Sequence, residues 1–191
     1  MALLGSMINA GWKILFRFKF LFDSHCITVL PMDIKTAITI MAIKLAKEIS
    51  GDHYDESVAL EVADAVNEVT SDPSEIETLL KIAKWESGYR RNVANCKAKG
   101  DNGNALGIWQ VHPRSKEEAT ALCSSIAESA KIALFRVRES KSACLKKGMK
   151  GAALLSGYTI GHCVKVDKHS IMRWGDGKTI IKLLKEDELA I

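Results

Sequence analysis

Between Asp33 and Ser87 the apolar residues return every three or four positions in three successive runs, a period that suits a helix and that a strand does not produce. In the first run Ile34, Ala37, Ile38, Met41, Leu45 and Ile49 share one face, behind a capping Asp33 and before Gly51. The second spans Glu56 to Val69, with Val58, Val62, Ala65, Val66 and Val69 facing one way and acidic residues mostly the other. The third has a strong start signal. Asp72 can cap, Pro73 suits the first helical position, and Glu75 completes a capping-box spacing ahead of the stripe Ile76, Leu79, Leu80 and Ala83.

Continuing that third stripe at the same spacing lands on Glu86 and Ser87, so a carboxylate stands where an apolar residue is expected. An unpaired buried carboxylate is costly. Glu86 is therefore paired with a base, exposed in a cleft, or kept protonated by partial desolvation, and the last two suit a general acid. A bland alternative is a surface pair with Arg90, four residues on. After Gly88 the periodicity stops, and Gly100, Asp101, Asn102, Gly103, Asn104 and Gly107 crowd a short span with turn chemistry; Ala94 to Val111 reads as irregular or a small β-hairpin. Ser115 with Glu118 opens another long helix carrying Ala119, Leu122, Ile126, Ala130, Ala133 and Val137. A turn at Gly148 to Gly151 leads to a shorter apolar helix, about Ala152 to Gly161, and Lys178 to Leu189 reads as a terminal helix.

The chain of 191 residues is long enough for one domain with a real core plus a short extension. With 47% hydrophobic and 26% charged residues, collagen-like, low-complexity and mostly disordered readings drop out. Residues 1–32 form an N-terminal extension, rich in aromatics (Trp12, Phe16, Phe18, Phe20, Phe22) among Lys and Arg, that packs on the domain or docks a partner or membrane surface. Residues 33–191 form the main domain. The uncharged run Met1 to Trp12 is much shorter than the ~20 apolar residues of a membrane span, so no transmembrane span is expected. A secretory signal also fits poorly, because the first charge, Lys13, follows the stretch that should be its apolar region. Residues 1–80 hold 6 Lys/Arg against 12 Asp/Glu, and residues 81–191 hold 21 against 11. The basic later part suits an anionic polymer, although a solvated surface gives the same count; without a recognition motif, no nucleic-acid partner is expected. Five cysteines show neither a CxxC pair nor metal-site spacing with the histidines, so neither a metal nor a cofactor is expected. Four of them can form one or two disulfides in an oxidising place, with pairings that spacing does not fix.

Three segments in order, Glu86-Ser87, Gly100-Asp101-Asn102-Gly103-Asn104-Ala105-Leu106-Gly107-Ile108-Trp109-Gln110 and Gly157-Tyr158-Thr159-Ile160-Gly161, resemble the motifs of the lysozyme-like superfamily, specifically soluble lytic transglycosylases and goose-type lysozymes. The resemblance covers about Pro73 to Cys163. It implies a mainly α, α+β lysozyme-like fold in which a helical lobe and a small β-hairpin lobe flank a substrate cleft. It also implies cleavage of the β-1,4 bond between N-acetylmuramic acid and N-acetylglucosamine in bacterial peptidoglycan.

On that resemblance Glu86 is the general acid, and Trp85 and Ala83 are candidate walls of its pocket. In a transglycosylase the same carboxylate then takes a proton from the muramic acid 6-hydroxyl, which closes a 1,6-anhydro ring. A goose-type hydrolase, the alternative, would use Asp101 to activate water. The second family aspartate is replaced here by His112, and the family's third-motif Asn by Thr159; the transglycosylase reading is preferred. Ser87, Gly107, Gln110 and Tyr158 are the implied substrate-side residues, with the Tyr158 hydroxyl reaching Glu86. Trp109 stacks on a sugar or fills the hairpin, and Asp101 is also an ordinary turn former. Cys96 and Cys163 flank the first and third motifs, a placement compatible with a disulfide across the cleft. The context points to a virion or extracellular protein, for instance a bacteriophage particle component that touches other virion proteins through residues 1–32. An alternative of another class is a non-catalytic virion or wall-binding protein of the same fold.

Overall fold

The structure is a computed structural model and describes residues 32–50, 54–165 and 167–186. Expectations for residues 1–31, for Gly51 and for Leu189 lie outside the described residues. The three helices read from periodicity are α1 (Ile34–Ser50), α2 (Glu56–Val69) and α3 (Pro73–Ser87). Each begins at an aspartate whose carboxylate accepts a backbone amide: Asp33 from Thr36, Asp55 from Val58 and Asp72 from Glu75. Glu75 does not close the capping box. Its carboxylate takes Arg138 and the Thr70 hydroxyl, while Thr70 Oγ1 accepts the Asp72 amide. Helix α3 ends at Gly88, whose left-handed φ of 59° lets the chain turn away after Ser87.

A single turn, α4 (Arg91–Ala94), precedes the glycine-rich loop, and α5 (Lys116–Ser124) and α6 (Ile126–Lys146) follow it. The one long helix expected after Ser115 is thus two. Ser125 is extended and its hydroxyl accepts the Glu128 amide at 3.1 Å, so a second Ser-x-x-Glu start interrupts the first helix. The expected apolar helix near 152–161 is a 3-10 turn over Gly151–Leu155 running into α7 (Ser156–Thr159). Two further helices, α8 (Lys168–Arg173) and α9 (Lys178–Glu186), complete the described chain. Where a small hairpin is expected, there are two isolated antiparallel bridges, Gly100 with Ala105 and Leu106 with Val111. Each pair is closed by its own four-residue turn, which leaves no room for a ladder.

Helix α3 is the centre of the fold and touches α1, α2, α6, α8 and α9. Its Ile76, Leu79, Leu80, Ile82 and Ala83 are fully buried, joined by Ile38, Val62, Val66, Val137 and Ile180 from its neighbours. Each large aliphatic side chain buried this way stabilises by about 1.5–3 kcal/mol. The α8–α9 connection is bolted onto α3 by polar contacts as well. Gly175 O accepts from Ser74 Oγ at 2.8 Å, Gly175 N donates to Thr78 Oγ1 at 3.1 Å, and Lys81 Nζ donates to Trp174 O at 3.0 Å. Glu77, 1% exposed, is compensated by Lys81 Nζ at 2.7 Å and by the Thr179 hydroxyl and amide. Only glycine permits this approach at position 175, since a Cβ there would sit 2.5 Å from Glu77 Cβ. The helix that carries Glu86 is therefore held along its length.

Candidate active site

A cleft of about 1470 Å³ is lined by Glu86, by the loop from Gly100 to Arg114, by the α6 face from Arg136 to Lys147 and by the segment from Gly157 to Cys163. The three motifs thus converge on one space, with Glu86 in its wall. Glu86 is three-quarters buried, with 24% of its side chain exposed. Its Oε1 accepts a hydrogen bond from Arg173 Nε at 2.7 Å. The arginine, 9% exposed, stands on α8 and donates from Nη1 to His169 O at 3.2 Å. Arg90, the cation expected at four residues' spacing, donates to Ser87 O instead. Trp85 and Ala83 do not line the cleft. Ala83 is wholly buried, and Trp85 is 39% exposed with the Lys84 ammonium 5.1 Å from its ring centroid.

The other residues expected at the site divide. Asp101 and Gln110 line the cleft, as does Tyr158. Asp101 Oδ2 lies 3.1 Å from His112 Nε2, and both side chains are more than half exposed. Gln110 holds a left-handed φ of 48°, donates from Nε2 to Gly107 O at 2.8 Å, and lays its Oε1 over Gly100 where a Cβ would collide. The Tyr158 hydroxyl does not reach Glu86; it donates to Trp109 O at 2.9 Å. Burial, followed by the nearby Glu86 charge, raises the Tyr158 phenol well above its ordinary pKa and keeps it a donor.

Ser87, Trp109 and Gly107 belong to the interior and do not line the cleft. Ser87 is 1% exposed and its hydroxyl donates back to Ala83 O, a bond within the helix that points it away from the cleft. Trp109 is fully buried, with Nε1 donating to Leu79 O at 2.9 Å, so it fills the core beneath the loop and offers no face to a sugar. Gly107 packs against α5 and α6. At its φ of 70° an added Cβ would come within 2.6 Å of Ser129 Oγ and 2.9 Å of Leu122 O.

Both disulfides differ from the Cys96–Cys163 pairing: Cys96 joins Cys123, and Cys144 joins Cys163. The second ties α6 directly to the cleft wall. On that wall Thr159 donates to Asp167 Oδ2 at 2.7 Å, and Asp167 caps α8 through the amides of His169 and Ser170. Partial burial pushes the Asp167 carboxyl up, but hydrogen bonds from Ser170, Thr159 and the two amides outweigh it and hold the group at about 2.

Sequence reasoning missed Arg173, which is far from Glu86 in the chain. The available signal was Asp167 with Ser170, a cap spacing one turn ahead of it. It also missed the α6 side of the cleft. There Arg114 and Arg136 share Glu139, whereas Lys146 and Lys147 make no ion pair among the described residues. No group of His, Cys, Asp and Glu among the described residues could hold a metal ion, and no helix among them is long and apolar enough to cross a membrane. Comparison with protein-family models, with curated proteins and with solved structures found no match.

Proposed function

We propose that this chain cleaves the glycan strand of bacterial peptidoglycan as a lytic transglycosylase, with Glu86 as both acid and base. The observation that carries the reading is the position of Glu86, a largely buried carboxylate that, although paired with Arg173, stands in the wall of a cleft that also contains Asp101, Gln110 and Tyr158. Its volume exceeds that of a pocket for one small molecule, ~300–1000 Å³, and suits a stretch of polymer. Five cations line it against three carboxylates, a balance that favours a strand bearing peptide carboxylates.

In the first step Glu86 gives a proton to the glycosidic oxygen as the bond from the muramic acid anomeric carbon to that oxygen breaks, so the leaving group departs as an alcohol. A positioned acid of this kind contributes roughly 10²–10⁴ in rate. In the second step the Glu86 carboxylate takes the proton of the muramic acid 6-hydroxyl, and that oxygen bonds to the anomeric carbon to close the 1,6-anhydro ring. The acid is restored without water. Two disulfides agree with work outside a reducing cytoplasm, as a virion or extracellular protein.

One observation favours a second reading. The Asp101–His112 pair lines the same cleft and has the composition of a water-activating base, as a hydrolase requires. Purified peptidoglycan treated with the protein and analysed by mass spectrometry separates the two. Anhydro-muramic ends are expected, while reducing ends would transfer the second step to Asp101 and His112. Glu86→Gln should abolish release while leaving the melting temperature within a few degrees. Undiminished release would remove Glu86 from the chemistry, and no release by the parent chain would leave a non-catalytic wall-binding or virion structural role.

A further inference from the structure

Among the described residues Glu86 receives a side-chain hydrogen bond only from Arg173, and only at Oε1. A guanidinium donates and never accepts. The carboxyl oxygen it holds acts as acceptor, and a proton on that same oxygen would stand against the cation, so a proton on Glu86 is favoured at Oε2. When that proton leaves, the same cation faces the carboxylate that forms, in a site sheltered enough for the attraction to matter.

We infer that Arg173 is a positioning residue for the reaction, fixing Oε2 of Glu86 as the proton-carrying oxygen and stabilising the carboxylate left after transfer; the inference rests on the glycan-cleaving reading. Its own placement is over-determined. Arg173 Nη1 donates to His169 O and lies 3.4 Å from His169 Nδ1. The Trp174 amide closes the helix onto Ser170 O at 2.8 Å, and the carbonyl of Trp174 takes Lys81 of α3. At the other end of α8 the Asp167 cap holds Thr159, itself a cleft residue. Helix α8 thus connects the third motif to the acid of the first, and the arginine stands where the two meet. This is the arrangement of a reacting group oriented by a partner that is oriented in turn.

The test uses the full chain and soluble, un-cross-linked peptidoglycan glycan strands, with initial rates followed over strand concentration. Arg173→Met keeps length and removes the donors and the charge. It should lower kcat by about 10- to 100-fold, the scale of losing orientation at a reacting group, and leave KM within about twofold. Arg173→Lys, which retains a charge and a donor, should recover at least threefold of that loss. Because Glu86→Gln protein does not turn over, it reports binding alone, and adding Arg173→Met to it should leave its Kd for the strands within about twofold. An Arg173→Met protein with wild-type kcat beside an inactive Glu86→Gln protein overturns the inference and spares the acid assignment; an active Glu86→Gln protein removes the acid assignment itself. An Arg173→Lys protein no better than Arg173→Met, with both melting far below the parent, also overturns it, since a packing role predicts that pattern.

Discussion

Cutting the Cys144–Cys163 link separates two effects that the fold ties together, stability and the shape of the cleft. Cys144 is fully buried on α6, and Cys163 lies in the cleft wall just beyond Tyr158, Thr159 and Ile160. The bridge closes a loop with a sequence separation of 19. Loop-closure entropy for that length corresponds to roughly 3 kcal/mol. In a chain of this size each kcal/mol moves the melting temperature by about 2–4 °C, so a fall of roughly 6–12 °C is expected for Cys144→Ala/Cys163→Ala. The comparison is made in a Cys26→Ser background so that the fifth thiol does not exchange, with melting followed by circular dichroism. The Cys96–Cys123 bridge, with a separation of 27, provides the control, because its removal carries a similar entropic cost of about 3.5 kcal/mol. Neither Cys96 nor Cys123 lines the cleft. Measured equally far below each variant's melting temperature, glycan cleavage should fall several-fold further without Cys144–Cys163 than without Cys96–Cys123. Equal activity in the two variants would refute the idea that this bridge holds the wall, and an unchanged melting temperature would refute the entropy estimate.

Trp109→Phe should cost about 1–3 kcal/mol by losing the buried Nε1 bond to Leu79 O, measured by urea unfolding, with KM for glycan strands unchanged; a raised KM at parental stability would return Trp109 to the sugar. The Asp167 carboxyl, held at about 2 in the folded chain against an ordinary 3.8, adds stability that is complete above pH 3.8 and is lost as pH falls from there toward 2. Allowing for its partial exposure, that contribution is about 1 kcal/mol. Melts of parent and Asp167→Asn should therefore converge across that acid window, and curves that stay parallel would remove Asp167 from the balance.

Local chemistry made part of this fold legible. The bounds of α2 follow from its sequence because apolar period and end signals agree there, and the same is true of the start of α3 at Asp72 and Pro73. The Ser125 break was equally local, but the apolar stripe continues across it from Leu122 to Ile126 and Ala130, and periodicity alone runs straight through. The six residues of α8 are too few to show a period. At the site, Glu86 was legible as a carboxylate out of place on an apolar stripe. Its neighbour Ser87 was not, because the same stripe that reaches it carries it into the core. Trp109 depended on which way one loop folds, and the cysteine pairing on which helices meet, and neither is a property of spacing. Arg173 lies 87 residues from the carboxylate it holds, and no local rule spans that distance.

That distance has a consequence for when the protein becomes competent. At the ~5–20 residues per second of protein synthesis, Arg173 leaves the ribosome roughly 4–17 seconds after Glu86. Thr179, which completes the anchoring of Glu77 from 102 residues away, follows later still. Until both have docked, the nascent polypeptide has its acidic group without the guanidinium opposite it, and the pair that the proposed reaction needs is assembled only near the end of synthesis.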